Sequence, residues 1–177
     1  MITQIRRTRE ADLPEVMEIY AAARVWMRQC GNPSQWGDHY PSAAFLREEI
    51  AAGHSFLCVN DQGAIAGTFC LILGEDPTYR EIFDGAWLNE EPYGTLHRIA
   101  SSGREKGLAR ACVEWCFTRC PNLRVDTHRD NRVMQRILES MGFSYCGIIY
   151  VADGSERLAY QKRLPGRTTL MQTTALP

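Results

Sequence analysis

Leu96-His97-Arg98-Ile99-Ala100-Ser101-Ser102, then Gly103-Arg104-Glu105-Lys106-Gly107-Leu108-Ala109, then Arg110-Ala111-Cys112-Val113-Glu114-Trp115-Cys116: over these residues an apolar, strand-like run ends in small side chains, turns through two glycines and enters an amphipathic helix. The first backbone N–H groups of a helix have no intrahelical acceptor. They also lie at the positive end of the helix dipole. Together they form a site for a phosphate or pyrophosphate. Arg104, Lys106 and Arg110 add mobile positive charge around it. The stretch therefore predicts a strand-turn-helix unit that holds a phosphorylated cofactor. It is neither a P-loop, because Leu108 stands where the lysine belongs, nor the Gly-x-Gly-x-x-Gly of a dinucleotide fold. An ordinary strand-to-helix turn remains the plainer alternative.

The bulk of the chain narrows the class. Its 177 residues allow one domain with a real core. A composition 45% hydrophobic and 23% charged is that of a globular protein and argues against disorder. A net charge of −1 argues against nucleic acid or an anionic membrane as the main partner. No apolar run approaches a membrane span, and the opening Met-Ile-Thr-Gln-Ile-Arg-Arg has no apolar signal region. The seven scattered cysteines suit a reducing interior and a cytoplasmic location. Cys112, Cys116 and Cys120 share one helix stripe. With the histidines far apart in sequence, they read as small buried thiols rather than metal ligands.

Working outward, residues 2–7 can form an opening strand. Asp12 is a candidate N-cap for a helix with Leu13, Val16, Met17, Tyr20 and Ala21 at helical spacing, ended by Gly31-Asn32-Pro33-Ser34. Residues 35–41, rich in aromatic and polar groups, form a loop of the kind that lines ligand sites or pins itself to a core. Ser42 is placed to cap a second helix. Residues 55–60 and 64–73 read as a hairpin turning at Asp61-Gln62-Gly63. Gly67 marks a bulge or a close backbone approach. Residues 75–92 are a long connection with Tyr79, Ile82, Phe83 and Trp87 as aromatic anchors. After the central strand, over 93–101, comes the helix, which Pro121 stops. Then follow a strand over 123–127, a helix capped by Asp130 or Asn131 and ending at Gly142, and a hairpin over 143–163 turning at Asp153-Gly154. Residues 168–177 form a polar tail. The order β-α-α-β-β-loop-β-α-β-α-β-β mixes hairpins with crossovers and so predicts an α/β fold with a mixed sheet.

Arg104-x-x-Gly107-x-Ala109 resembles the coenzyme A pyrophosphate loop of the GNAT N-acetyltransferase superfamily. Val125-Asp126-Thr127-His128-Arg129-Asp130-Asn131-Arg132-Val133-Met134, leading to Leu138-Glu139-Ser140-Met141-Gly142-Phe143, looks like the second half of that cofactor site. The resemblance covers roughly residues 2–164 and implies a GNAT-like domain over residues 1–164 with a tail over 165–177. It also implies a central mixed, mostly antiparallel sheet with a splayed strand pair and helices on both faces. Acetyl-CoA is the implied cofactor. Its pantetheine arm would lie between the strands of Ile99 and Asp126 and bond the backbone of Ile99, Ala100 and Ser101. The amides of Arg104, Glu105, Lys106, Gly107, Leu108 and Ala109 would hold the pyrophosphate, Asn131 would bond the pantetheine from the other side, and Met134 would pack near it.

The implied reaction is attack of an amine of a small molecule or peptide on a thioester carbonyl. It needs a base for the amine proton and a donor for the developing oxyanion, which a bulge at Ile99–Ala100 would supply. Asp126, His97 and His128 are the candidate bases. Asp126 and His128 share a face if the strand persists, and each of the three also has a structural reading as a locally hydrogen-bonded group. Many relatives carry a tyrosine as general acid four residues before Gly-Phe, where this chain has Leu138. That departure keeps a non-catalytic acyl-CoA-binding module as the alternative, and a structural protein that binds no coenzyme A as a third. The acceptor pocket is expected from residues 35–41 and 75–92, and a homodimer is possible.

Overall fold

The computed structural model describes residues 1–166, and the predicted polar tail over 168–177 lies outside them. One seven-stranded sheet runs through the chain in the order β1-β2-β3-β4-β5-β7-β6. Its strands are β1 (Ile2–Arg7), β2 (Ser55–Asn60), β3 (Ile65–Leu73), β4 (Gly94–Ser101), β5 (Asn122–Thr127), β6 (Ser144–Tyr150) and β7 (Glu156–Arg163). Only β4 and β5 pair in parallel; every other neighbouring pair is antiparallel. This is the mixed sheet that the alternation of hairpins and crossovers predicts.

Four helices cover the two faces: α1 (Leu13–Gln29), α2 (Ala43–Ala51), α3 (Leu108–Phe117) and α4 (Arg132–Ser140). The strands alternate apolar residues to both faces, so the sheet is buried on each. On one face Leu57, Ile65 and Ala100 pack with Val16, Ile19 and Tyr20 of α1 and Leu46 of α2. On the other, Leu96, Leu123 and Val125 pack with Cys112, Val113 and Cys116 of α3 and Leu138 of α4. The three cysteines of the helix stripe are all buried, as small apolar groups are.

Several local expectations shift. Ser42 caps α2, its Oγ accepting from Phe45 N at 3.2 Å. Asp12 does not cap α1. Its carboxylate accepts two bonds from Arg6 at 2.7 and 2.8 Å and one from Arg9 N at 2.7 Å, which closes the 3-10 turn Glu10–Asp12 just upstream. Helix α3 ends at Phe117 rather than running on toward Pro121. The hydroxyl of Thr118 bonds back to Trp115 O at 2.6 Å there, drawing off a carbonyl of the last turn.

The long connection over residues 75–92 is a packed wall. Tyr79, Trp87, Tyr93, Cys146 and Ile149 form a third buried cluster beneath it. The guanidinium of Arg124 lies 4.1 Å from the Trp87 ring centroid and 3.9 Å from that of Tyr93. It also donates to Asn89 O at 2.9 Å. Gln161, fully buried, accepts from Leu88 N at 2.8 Å and donates to Asn122 Oδ1 at 2.8 Å. These bonds fix the wall over the β5–β7 half of the sheet, on the same face as α1.

Candidate active site

Strands β4 and β5 keep register only at Gly94–Leu123, Thr95–Arg124 and Leu96–Val125, and then part. Parallel strands whose pairing stops expose backbone donors and acceptors that need another partner. The gap opens into a cleft of about 770 Å³ lined by both strands, by α1, by the start of α3 and by α4.

A bulge shapes the β4 side. Thr68 pairs with Ala100 and Cys70 with His97, so Arg98 and Ile99 together face Phe69. Arg98 takes φ +55° to absorb the extra residue. The expected bulge at Ile99–Ala100 therefore sits one residue earlier. Its effect is to put His97 and Arg98 on the same face of the sheet, where strict alternation would send Arg98 to the α3 side. Arg98 bonds Tyr40 Oη at 3.0 Å and the Glu49 carboxylate, and lies 4.7 Å from the Phe45 ring centroid. Its carbonyl accepts from Tyr20 Oη at 3.1 Å. The planarity of the peptide then turns the Ile99 N–H away from α1. Gly67 lets the bulge close down: a Cβ there would meet Ala100 O at 2.5 Å and Leu108 Cδ1 at 2.5 Å.

The start of α3 carries no side-chain cap, whereas Ser42 and Asn131 cap α2 and α4. Gly103 and Gly107 adopt φ +79° and +76°, and a Cβ at either would point into open space. The uncapped amides and the space before them fit a pyrophosphate. Of the residues predicted to hold cofactor, Ile99, Ala100, Ser101, Glu105, Gly107, Leu108, Ala109, Asn131 and Met134 all line the cleft. Arg104 and Lys106 do not. The Arg104 guanidinium turns away to Glu15 Oε1 and Ile65 O, both at 3.0 Å. Asn131 is already occupied: its Oδ1 accepts from Met134 N at 3.1 Å and its Nδ2 donates to Gln35 Oε1 at 3.0 Å.

Two of the three predicted bases come together. Asp126 lines the cleft where the strands part. His97 Nδ1 lies 3.6 Å from Asp126 Oδ1 and His97 Nε2 lies 2.7 Å from Asp76 Oδ2. Tyr79 Oη donates to Asp126 Oδ1 at 2.5 Å, and Arg157 Nε is 3.8 Å from Asp126 Oδ2. Burial, and then the Asp126 charge, push the Tyr79 hydroxyl well above the usual tyrosine range, so it remains a donor. Burial alone would raise the Asp76 carboxyl, but the hydrogen bonds from His97 and Thr78 outweigh it and bring the pKa to about 2. His128 stands apart. Strand β5 ends at Thr127, so the shared face of Asp126 and His128 is not realised. His128 Nδ1 accepts from Asp130 N at 3.2 Å. Burial and then the positive Arg157 lower its pKa.

Sequence reasoning missed Tyr79 and Asp76 as members of this cluster, and with them Arg157. The wall over 75–92 contributes no residue to the cleft lining; it stands behind Asp126. From the loop over 35–41, Gln35 and Trp36 do line the cleft. Leu138, at the position of the expected acid, is fully buried on the core face of α4.

A mixed sheet parted at its parallel pair, with a bulge on one lip and an uncapped helix start at the end of the gap, offers an extended ligand free backbone partners along its length and an anion site at its end. The model of the acetyltransferase (GNAT) family matches residues 14–143. The chain belongs to that family, whose members transfer acetyl groups from acetyl-CoA. Among solved structures, it is similar to a GNAT-family acetyltransferase from Streptococcus agalactiae, at 33% identity and TM-score 0.82, covering 91% of this chain and 95% of that one. A phosphinothricin acetyltransferase from Sinorhizobium meliloti, solved in complex with acetyl-CoA, shares the fold at 18% identity and TM-score 0.60, covering 93% and 89%. A ribosomal-protein-alanine N-acetyltransferase from Brucella melitensis shares it at 20% identity and TM-score 0.57, covering 92% and 100%. No curated protein matches the chain in sequence.

Proposed function

We propose that this chain is an N-acetyltransferase, built as one domain over residues 1–164, that moves an acetyl group from acetyl-CoA to a primary amine of a small molecule or peptide by direct attack. The observation that carries the reading is the parting of β4 and β5 after Leu96 and Val125, into a cleft that ends at the uncapped start of α3. The acetyl-CoA complex of the S. meliloti relative and the N-acetyltransferase from B. melitensis support it by likeness of fold.

When bound, acetyl-CoA supplies an acetyl group activated as a thioester. The amides of Glu105, Gly107, Leu108 and Ala109, with the helix dipole, would hold the pyrophosphate, while the backbone of Ile99, Ala100 and Ser101 would bond the pantetheine arm as an added strand does. Met134 and the Asn131 side of the cleft pack against that arm. The Ile99 N–H, oriented by the Tyr20 bond to the preceding carbonyl, is the donor for charge developing on the thioester oxygen. Asp126 would receive the amine as its ammonium and take a first proton before attack, which frees the nitrogen lone pair; the second proton, released as the C–N bond forms and the C–S bond breaks, would go to the departing thiolate. His97 shares the first proton across a 3.6 Å gap, of the sort that closes when substrate binds. Asp76 and Tyr79 are positioning residues: one fixes the His97 ring, the other the Asp126 carboxylate. A thiol with a pKa of about 8.5 leaves without a dedicated acid, which answers the burial of Leu138. Asp126 on the cleft wall, backed by His97, favours turnover over a binding-only module.

The test is thiol release from acetyl-CoA across a panel of amines, beside calorimetric binding of acetyl-CoA. Binding together with amine-dependent release supports the reading. Binding without release from any amine supports the module, and no binding ends both.

A further inference from the structure

The acceptor half of the cleft is apolar, aromatic and marked by one carboxylate. Asp126 and His97 face the α1 side of the sheet, whereas Leu96 and Val125 face α3 and α4. The acceptor therefore enters from the α1 side, between the end of α1 and the loop that follows it. There the cleft is lined by Trp26 and Met27 of α1, Trp36 of the loop and Val133 of α4. Trp26 is 48% exposed and Val133 40%. Two such residues open to solvent on the rim of a cleft offer apolar surface to a ligand. Trp36 is held edge-on to Tyr20, with ring centroids 5.5 Å apart. The loop is tied across the gap by Gln35, whose O accepts from Arg157 Nη2 at 3.2 Å and whose Oε1 accepts from Asn131.

The charges of the lining are as selective. It contains two acids among the described residues, and Glu105 is turned to the Met1 amine at 3.0 Å and to Asn60 Nδ2 at 3.2 Å. That leaves Asp126 to meet the acceptor. Its bases are Arg98, bound by Glu49 and Tyr40, and Arg110, on α3 beside Ser140 at 3.4 Å. A carboxylate or phosphate on the acceptor would be repelled by Asp126, and the two cations at this end are already engaged, Arg98 by Glu49 and Tyr40 and Arg157 by Gln35 O, Ser155 and Asp126 itself. A second ammonium would have to give up its hydration against tryptophan rings with no second acid to meet it.

Resting on the acetyltransferase reading, the geometry points to a narrower acceptor class: a monoamine whose primary ammonium meets Asp126 and whose uncharged aromatic or alkyl body lies between Trp26 and Trp36. The rings bind that body by area.

Three amines separate this from its rivals in the thiol-release assay. Phenethylamine has the predicted shape, phenylalanine adds a carboxylate to the same body, and putrescine replaces the ring with a second cation. The expected result is a kcat/KM for phenethylamine at least about ten-fold above both others, a difference of about 1.4 kcal/mol. Trp26→Ala, at an exposed position, should raise KM for phenethylamine several-fold while acetyl-CoA affinity is unchanged. Phenylalanine or putrescine equal to or better than phenethylamine overturns the acceptor class, as does an unchanged KM in Trp26→Ala. Calorimetric binding of acetyl-CoA with no release from phenethylamine overturns it too, and leaves the cofactor site standing. Absence of acetyl-CoA binding overturns the parent reading instead.

Discussion

Tyr79 and Asp126, 47 residues apart in the chain, are joined by a 2.5 Å hydrogen bond from phenol to carboxylate. The bond connects the wall over residues 75–92 to the strand edge where the cleft opens, so the long connection supports the candidate base without lining the substrate space. A hydrogen bond to a charged group contributes about 1.5–3 kcal/mol. Tyr79→Phe keeps the ring and its stacking on Trp87. It should lower kcat/KM by about ten- to a hundred-fold, through loss of the bond that orients the carboxylate. Acetyl-CoA affinity should be unchanged by calorimetry, and an unchanged kcat/KM would assign Tyr79 to packing alone.

Asp76 gives a prediction about stability. Its folded pKa of about 2 lies below the ordinary carboxylate value of 3.8. A depressed pKa stabilises the fold above the unfolded value, and that stabilisation is lost as pH falls through the folded one. The loss therefore falls between roughly pH 4 and pH 2 and amounts to about 2 kcal/mol. Urea unfolding across that range should show a shallower pH slope for Asp76→Asn than for the parent chain. Equal slopes would remove the His97–Asp76 pair from the account.

At Gly107 the backbone sits at φ +76° with open space where a side chain would go. Gly107→Ala should lower stability by about 1 kcal/mol, the cost of a left-handed non-glycine residue, and retain acetyl-CoA binding. Gly107→Glu adds the same strain and a negative charge before the α3 amides, so binding should fall by more than about a hundred-fold, or roughly 3 kcal/mol. Retained calorimetric affinity in the glutamate variant would move the pyrophosphate elsewhere.

Gly67 presents the opposite case, because its would-be Cβ overlaps Ala100 O and Leu108 Cδ1 at 2.5 Å. Gly67→Ala must push β3 off the bulge of β4 and off the first turn of α3. Overpacking of this kind costs about 1–3 kcal/mol. Thermal unfolding should report that loss, and acetyl-CoA affinity should fall with it because both lips of the cofactor site are displaced.

The sequence showed the strand-turn-helix at 96–116 because its signals are local: a run of apolar residues, two glycines and a helical period. Ser42 was likewise readable as a cap, and Asn131 as one of two candidates beside Asp130; each has a side chain that reaches a backbone N–H three residues on. Asp12 misled for the same reason in reverse. Its side chain had a better partner in Arg6, six residues back on the strand, and local rules carry no information about that choice. The tight group around Asp126 was half legible. Asp126 and His97 could be named from the strands that bear them, but Tyr79 and Asp76 arrive from a connection with no period of its own. Long-range contacts decide where that connection lies: the packing of Trp87 and Tyr93 around Arg124 and the bond from Leu88 N to Gln161. The bulge also escaped exact placement, since a one-residue slip between β3 and β4 leaves the apolar alternation of Leu96, Ile99 and Ala100 nearly intact.

That clamp on Arg124 sets up a division of labour for evolutionary change. The segment backing the acid–base group is bolted down by two rings and a buried glutamine, so substitutions there are costly and its geometry is inherited as a block. The stretch bearing Gln35 and Trp36 is tethered by the Trp36 ring on Tyr20 and by polar links from Arg157 and Asn131. Descendants of this scaffold can therefore exchange one acceptor for another by rewriting that short crossing, while the machinery behind it stays as it was.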